Sequence, residues 1–172
     1  NVKRCGQLFG TVPAMTAEVV SAARRAASRR PLWVKLSPLV TDITLTARAA
    51  EQAGADALTV ANTYPAMSVD HRTRRSRLGN LTGGLSGPAI KPMTLRLVYE
   101  ACRAVRIPVL GLGGIQTAED ILEYLVVGAS AIQVGTNNFV DPRATIRLLD
   151  GLERLCFSEK ISNVNNLRGT LA

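Results

Sequence analysis

Two segments of the chain repeat one another. Ala53-Gly54-Ala55-Asp56-Ala57-Leu58-Thr59-Val60 and Val127-Gly128-Ala129-Ser130-Ala131-Ile132-Gln133-Val134 each read as a helix end, a Gly-Ala turn and a short apolar strand, the mark of a repeated unit. That repeat leaves few folds open. Strands that are apolar throughout, rather than alternating, need cover on both faces, and helices between them impose a parallel sheet.

The remaining elements extend the pattern. Residues 1–13 lack periodicity and read as a loop. A helix is expected over Met15–Ala27, a buried strand over Leu32–Leu36 and a helix from a Thr41-Asp42 cap to Ala53. The strand Ala57–Ala61 follows. Residues 64–87 form a long polar excursion, a length at which a connection is either functional or carries its own small hairpin. Pro88 opens a helix to about Val105. Strand Val109–Gly111, a helix over Ala118–Val127, strand Ala131–Val134 and a helix from Asp141-Pro142 to Leu155 complete the series. The tail 158–172 is polar, with room for a short helix.

Each of the four strands ends in a residue out of keeping with it: Lys35, Asn62-Thr63, Gly113-Gly114 and Gly135-Thr136. Clustering of such residues at strand C-termini is the pattern of a (β/α)8 TIM barrel, whose sites lie on that face. A whole barrel takes about 250 residues, so the 172 residues here are expected to form one barrel domain, truncated at its N-terminus, that covers roughly the C-terminal half. The chain opens on Asn1 rather than Met, which also points to a truncated gene product.

Composition removes several classes of function. No stretch reaches the ~20 apolar residues of a membrane span, and no N-terminal signal pattern is present. The three cysteines, Cys5, Cys102 and Cys156, are far apart and form no CxxC pair, so neither a zinc site nor an iron–sulfur ligand set is supported, and a reducing cytoplasm is expected. The net charge of +8 invites a nucleic-acid reading, but the arginines are dispersed and aromatics make up 4%. The one basic run, His71-Arg-Thr-Arg-Arg-Ser-Arg77, reads as a solvated loop or a protein-partner surface.

The chemistry is expected at the strand ends. Lys35 is either a strand-end lysine snorkelling to solvent or a cation aimed into the barrel mouth, to stabilise a developing anion or form a Schiff base. Asn62-Thr63 caps the next turn or hydrogen-bonds a polar substrate. Pro108-Val-Leu-Gly-Leu-Gly-Gly-Ile115 runs from a strand through a glycine turn to a helix start, a seat for an anion. With Gly135-Thr136 it occupies the place where such barrels bind phosphate, and a side chain at Gly114 is expected to block that seat. A dinucleotide fingerprint is not supported, because the glycine spacing is not GxGxxG.

Taken together, Asn1-Val-Lys with Phe9-Gly10-Thr11, Val34-Lys-Leu-Ser-Pro38, Asn62-Thr63, Thr82-Gly-Gly-Leu-Ser-Gly-Pro-Ala-Ile-Lys-Pro92, Gly111-Leu-Gly-Gly-Ile115 and Val134-Gly-Thr136 with Phe139 resemble the dihydroorotate dehydrogenase family, in its class 1B branch. The resemblance implies an FMN flavoprotein, an oxidoreductase of pyrimidine biosynthesis that converts dihydroorotate to orotate. It implies that Gly113, Gly114, Gly135 and Thr136 hold the FMN phosphate, that Ala61 and Gly87 lie against the flavin, and that Lys35 stabilises the reduced ring. It assigns Asn62, Thr63 and Asn1 to the substrate. The family's base, a cysteine in a Ser-Cys-Pro-Asn stretch, would stand just upstream of Asn1. Cys5 falls where the family has glycine, so no catalytic base and no metal ligand are expected within the chain, and the fragment alone is expected to be inactive. The branch pairs a homodimer with an electron-transfer subunit that carries FAD and a 2Fe-2S cluster and reduces NAD. The basic run is a candidate contact for that subunit; no nucleic acid or membrane is expected. The rival readings are a dihydropyrimidine dehydrogenase, a dihydrouridine synthase and a non-catalytic barrel module.

Overall fold

The computed structural model describes residues 3–4 and 7–172, with side chains from residue 8 onward. Strands β1 (Lys3–Arg4) and β2 (Gln7–Leu8) pair antiparallel where the sequence suggests only a loop. A 3-10 turn over Phe9–Thr11 leads into helix α1 (Pro13–Ala26). Strand β3 spans Trp33–Lys35. Helix α2 (Ile43–Gln52) starts at Asp42, whose carboxylate accepts the Thr44 N–H at 2.8 Å. Gly54, at φ +100°, turns the chain out of α2 and into β4 (Ala57–Val60), a conformation that suits glycine.

The excursion holds four short strands: β5 (Tyr64–Ala66), β6 (Val69–Asp70), β7 (Arg75–Ser76) and β8 (Gly83–Leu85). β5 pairs antiparallel with β8, and β6 with β7. A 3-10 turn over Pro88–Ile90 runs into α3 (Lys91–Ala104). Then come β9 (Val109–Leu112), α4 (Ala118–Val126), β10 (Ala131–Gln133), the one-turn α5 (Asn137–Val140) and α6 (Ala144–Ser158). The sequence places the start of that last helix at Asp141-Pro142. The chain instead spends one turn on α5 and begins α6 at Ala144.

The sheet runs β10-β9-β4-β3 and is parallel throughout, with Val34 beside Leu58, Thr59 beside Leu110 and Gly111 beside Ile132. Its core holds Leu58, Val60, Val109, Leu97, Val98 and Tyr124. β4, at the centre, is buried at every position. The outer strands differ from expectation. Residues 32–36 and 131–134 read as buried strands, yet Trp33 is 58% exposed and Ala131 is also exposed. Both strands are edges of a four-stranded sheet and lack the neighbour that would bury their outer sides. Continuous apolar sequence identifies the parallel sheet but does not say how much of it one chain supplies.

The N-terminal ends of the strands are tied by side chains. The Arg24 guanidinium, from α1, donates to the Gly54 carbonyl at 2.6 and 2.8 Å and pairs with Asp56. Asp56 in turn accepts the Leu32 N–H at 2.7 Å. Glu51 does the same for β9, accepting the N–H groups of Arg106 and Ile107 at 2.7 and 3.1 Å. Among the described residues no helix is long and apolar enough to cross a membrane.

Gly111 lies where β9 meets the ring of Tyr124. An added Cβ would stand against Tyr124 Cδ1 and 3.0 Å from Cε1 and Cγ, whereas a Cβ at Gly79 would meet nothing within 4 Å. Gly111→Ala is therefore expected to lower unfolding stability by about 1–3 kcal/mol through overpacking. Gly79→Ala should stay within about 0.5 kcal/mol. The urea midpoints of the two variants, compared with the unaltered protein, check this.

Candidate functional site

A cavity of about 180 Å³ opens at the C-terminal ends of the four parallel strands. β3 contributes Lys35, the segment after β4 contributes Ala61, Asn62 and Thr63, and the turn before α3 contributes Gly87. The turn after β9 adds Gly113 and Gly114, and the one after β10 adds Gly135 and Thr136. Every site residue expected from the sequence that falls within the described side chains lines this one cavity. Asn1 and Cys5 lie outside the described residues.

Lys35, Asn62 and Thr63 also line a second cavity of about 250 Å³, whose other lining residues include Phe9, Thr16, Val20 and Leu39. These three side chains are thus the partition between two chambers. The Lys35 ammonium has no hydrogen-bond or ion-pair partner among the described residues. The Asn62 side-chain oxygen accepts the Thr63 N–H at 2.8 Å, which leaves the Asn62 amide nitrogen and the Thr63 hydroxyl as donors. Thr63 packs on β8: a Cβ at Gly84 would come within 2.8 Å of Thr63 Cβ. The excursion and the end of β4 are therefore fitted to each other.

The glycine turn is held from behind. A Cβ at Gly114 would stand 2.8 Å from the backbone nitrogen and Cβ of Lys91 and 3.0 Å from the Gly87 carbonyl oxygen, and Gly114 sits at φ +72°. Gly113 faces Thr94 in the same manner. This corrects the steric expectation. A side chain at Gly114 collides with the start of α3 before it reaches any ligand. Gly135 differs: its Cβ would meet only Leu112 Cδ1, at 3.9 Å. Gly87, which also lines the cavity, has nothing within 4 Å of an added Cβ, so these two glycines leave open space where a side chain would stand.

Lys91 anchors the arrangement. Its ammonium contacts Asp120 at 2.5 Å and Glu123 at 2.9 Å. Asp120 accepts the N–H groups of Gln116 and Thr117 at 2.7 and 2.9 Å, while Thr117 caps α4 by accepting the Asp120 N–H at 3.3 Å, a reciprocal capping box. The hydrogen bonds from Asp120 and Glu123 push the Lys91 ammonium above its usual range. Burial pushes Asp120 up, but the Lys91 ammonium and the two backbone N–H groups outweigh it, so the carboxyl sits below its ordinary value.

These ties leave donors for a ligand. The N–H groups of Gly114, Ile115 and Thr136 find no acceptor among the described residues. With the open face of Gly135, they make a neutral, anion-binding lining of backbone donors, and this donor set fits a phosphate. Gln116, Gln133 and Asn137, which are not among the residues expected from the sequence, also line the cavity. Gln133 carried a signal, a polar residue in an apolar strand; Asn137 carried none, because a four-residue helix is too short for periodicity to reveal. The remaining residues of interest lie elsewhere. His71 is in the exposed β6–β7 turn, with Arg72, Arg74, Arg75 and Arg77 exposed around it. Cys102 and Cys156 do not line the cavity, and burial pushes the Cys102 thiol up to about 11. No group of three metal-ligating side chains occurs among the described residues.

Fold and site define part of an α/β barrel: four βα units of a (β/α)8 barrel, with a cavity at the C-terminal ends of their strands. The family model for dihydroorotate dehydrogenase matches residues 1–156, and the chain belongs to that family. It is 50% identical over 171 residues to the dihydroorotate dehydrogenase B (NAD(+)) catalytic subunit of Solidesulfovibrio magneticus, covering 99% of this chain and 56% of that protein. A protein of Solibacter usitatus, provisionally named dihydroorotate dehydrogenase A (fumarate), is 54% identical over the same shares. The crystal structure of an Eimeria tenella dihydroorotate dehydrogenase in complex with ferulenol superposes with a TM-score of 0.75 at 26% identity, over 92% of this chain and 48% of that one. The chain thus spans about half the length of the relatives it matches.

Asp120 titrates lower in the folded protein than in the unfolded chain. Its contribution to stability is therefore complete above the ordinary value of 3.8 and is lost as pH falls through the depressed folded value. Asp120→Asn is expected to lower stability at neutral pH and to shrink the loss of stability below about pH 4. Urea unfolding of both proteins at pH 7 and pH 3 measures the difference.

Proposed function

We propose that the protein carrying this chain is an FMN-dependent dihydroorotate dehydrogenase, a cytoplasmic oxidoreductase of pyrimidine biosynthesis, and that the chain is part of its single FMN-binding barrel domain. The observation that carries the reading is convergence on one cavity: a lysine and a glycine-lined set of N–H groups that find no partner among the described residues, with an amide–hydroxyl pair between them. When bound, FMN supplies the acceptor for the hydride that leaves C6 of the substrate. The chain's own residues do the rest of what lies in this half. Gly113, Gly114, Gly135 and Thr136 take the phosphate on backbone N–H groups. Ala61 and Gly87 present little bulk and let a flat ring approach.

Lys35 supplies a fixed positive charge on the wall of the cavity, where negative charge develops during reduction. Asn62 and Thr63 orient the substrate through an amide and a hydroxyl fixed at a strand end. In this reading the proton acceptor for C5 comes from outside residues 7–172, since the described cysteines lie off the cavity.

Electrons are proposed to leave for NAD through a partner subunit that carries FAD and a 2Fe-2S cluster, in an assembly built on a homodimer. The relatives named as NAD(+)-linked catalytic subunits support this. The relative named for fumarate supports a second reading of the acceptor alone, with no such subunit. A dihydropyrimidine dehydrogenase or dihydrouridine synthase is not favoured, because the family match is to dihydroorotate dehydrogenase.

Flavin absorbance of the full-length protein should shift on titration with orotate and not with uracil. The reverse preference, or purification without FMN, would overturn the reading. Lys35→Ala should slow flavin reduction by dihydroorotate by roughly 10²-fold, as for loss of a charge-stabilising donor, with little change in thermal unfolding; unchanged reduction kinetics would remove Lys35 from that role. Replacing Arg72, Arg74, Arg75 and Arg77 with Ala should weaken binding of the flavin–iron–sulfur subunit, as read by co-sedimentation, and undiminished association would exclude the β6–β7 hairpin as its contact.

A further inference from the structure

The Gly113–Gly114 peptide is the easiest in the anion seat to turn over. It lies between two residues without a Cβ, so neither flanking side chain resists rotation, yet the two faces of a planar trans peptide are opposite in character: its C=O and N–H point in opposite directions. With the N–H toward the cavity, an anion gains a donor; with the carbonyl there, it meets a negative dipole. One contact selects between these states. The Tyr124 hydroxyl donates to the Gly113 carbonyl oxygen at 2.6 Å.

Tyr124 comes from α4 on the core side of β9 and is fully buried, its ring packed on Gly111. The Gly113 carbonyl therefore points into the core, and the N–H of Gly114 points away from it, where it has no acceptor among the described residues. We propose that Tyr124 is a positioning residue whose hydroxyl holds the Gly113–Gly114 peptide in the orientation that presents the Gly114 N–H to a bound phosphate.

The surroundings keep the hydroxyl available for this. Burial pushes the Tyr124 phenol well above its usual range, so it remains a donor at any physiological pH. Beside it, Thr94 Oγ1 donates to the Ile90 carbonyl at 3.1 Å and so accepts from the Tyr64 hydroxyl at 3.3 Å. That bond ties the first residue of β5, next to Asn62-Thr63, to the floor under the seat. Removing the Tyr124 hydroxyl leaves a core-facing carbonyl without a partner, and the peptide can relieve that by turning over.

The inference rests on the FMN reading, and its test separates the two. Dissociation constants for FMN and for riboflavin, which lacks the phosphate, are measured by flavin fluorescence on the full-length protein and on Tyr124→Phe, with thermal unfolding of each. Tyr124→Phe is expected to weaken FMN roughly tenfold, the equivalent of one hydrogen bond, and to leave riboflavin unchanged. Equal weakening of both flavins would make Tyr124 merely structural, and an unchanged FMN constant would likewise overturn the proposal. If the Phe variant does not fold, Tyr124→Met decides by the same FMN-to-riboflavin ratio. An unaltered protein that binds FMN no more tightly than riboflavin would overturn the phosphate-seat reading itself.

Discussion

The cavity end of this fold hangs on one ammonium group. The Lys91 ammonium, held between Asp120 and Glu123, fastens the first turn of α3 to the first turn of α4. The two helices meet behind the turn that follows β9. Asp120 is engaged on both sides, by the ammonium and by the N–H groups of Gln116 and Thr117. The Lys91–Asp120 pair is largely shielded from water, with side-chain exposures of 24% and 11%, while Glu123 is half exposed, so solvent and salt screen the Asp120 contact less than a surface pair. Gly114 rests on the Lys91 backbone itself. A shift of α3 relative to α4 would therefore move the anion seat directly.

The glycines acquire their meaning from this frame. Gly111 yields to Tyr124, Gly113 to Thr94, and Gly114 to Lys91 and Gly87. The glycine run of this stretch is, in the first place, a record of three close approaches of helix to strand, whereas Gly87 and Gly135, on the same cavity, meet no such contact. What remains after those approaches is a set of N–H groups that the packing leaves without acceptors among the described residues, the donors of the proposed phosphate seat.

Much of this could be read from the residue order. The Gly-Ala repeat identified parallel βα units, and the misfit residues at the strand ends identified the face on which they open; Lys35, Asn62, Thr63 and the glycines do share one cavity. What could not be read falls into two kinds. Short elements such as α5 and the two-residue strands are below the length at which periodicity can be told from chance. Contacts between distant segments, such as Tyr124 on the Gly113 carbonyl or Thr63 against Gly84, leave no local pattern at all. Tyr124 in particular reads as one more apolar position of an amphipathic helix. The exposure of β3 and β10 has no sequence signal for a related reason, since apolar content reports the sheet a strand belongs to and not whether its neighbour is present.

Lys35, Asn62 and Thr63 each face two chambers at once. A wall with two sides cannot be revised on one of them alone. Any exchange that reshapes the smaller space, by length, charge or branching, also redraws the boundary of the larger one. The three positions are in effect a shared hinge of shape, and a variant that alters the volume of one chamber alters that of the other.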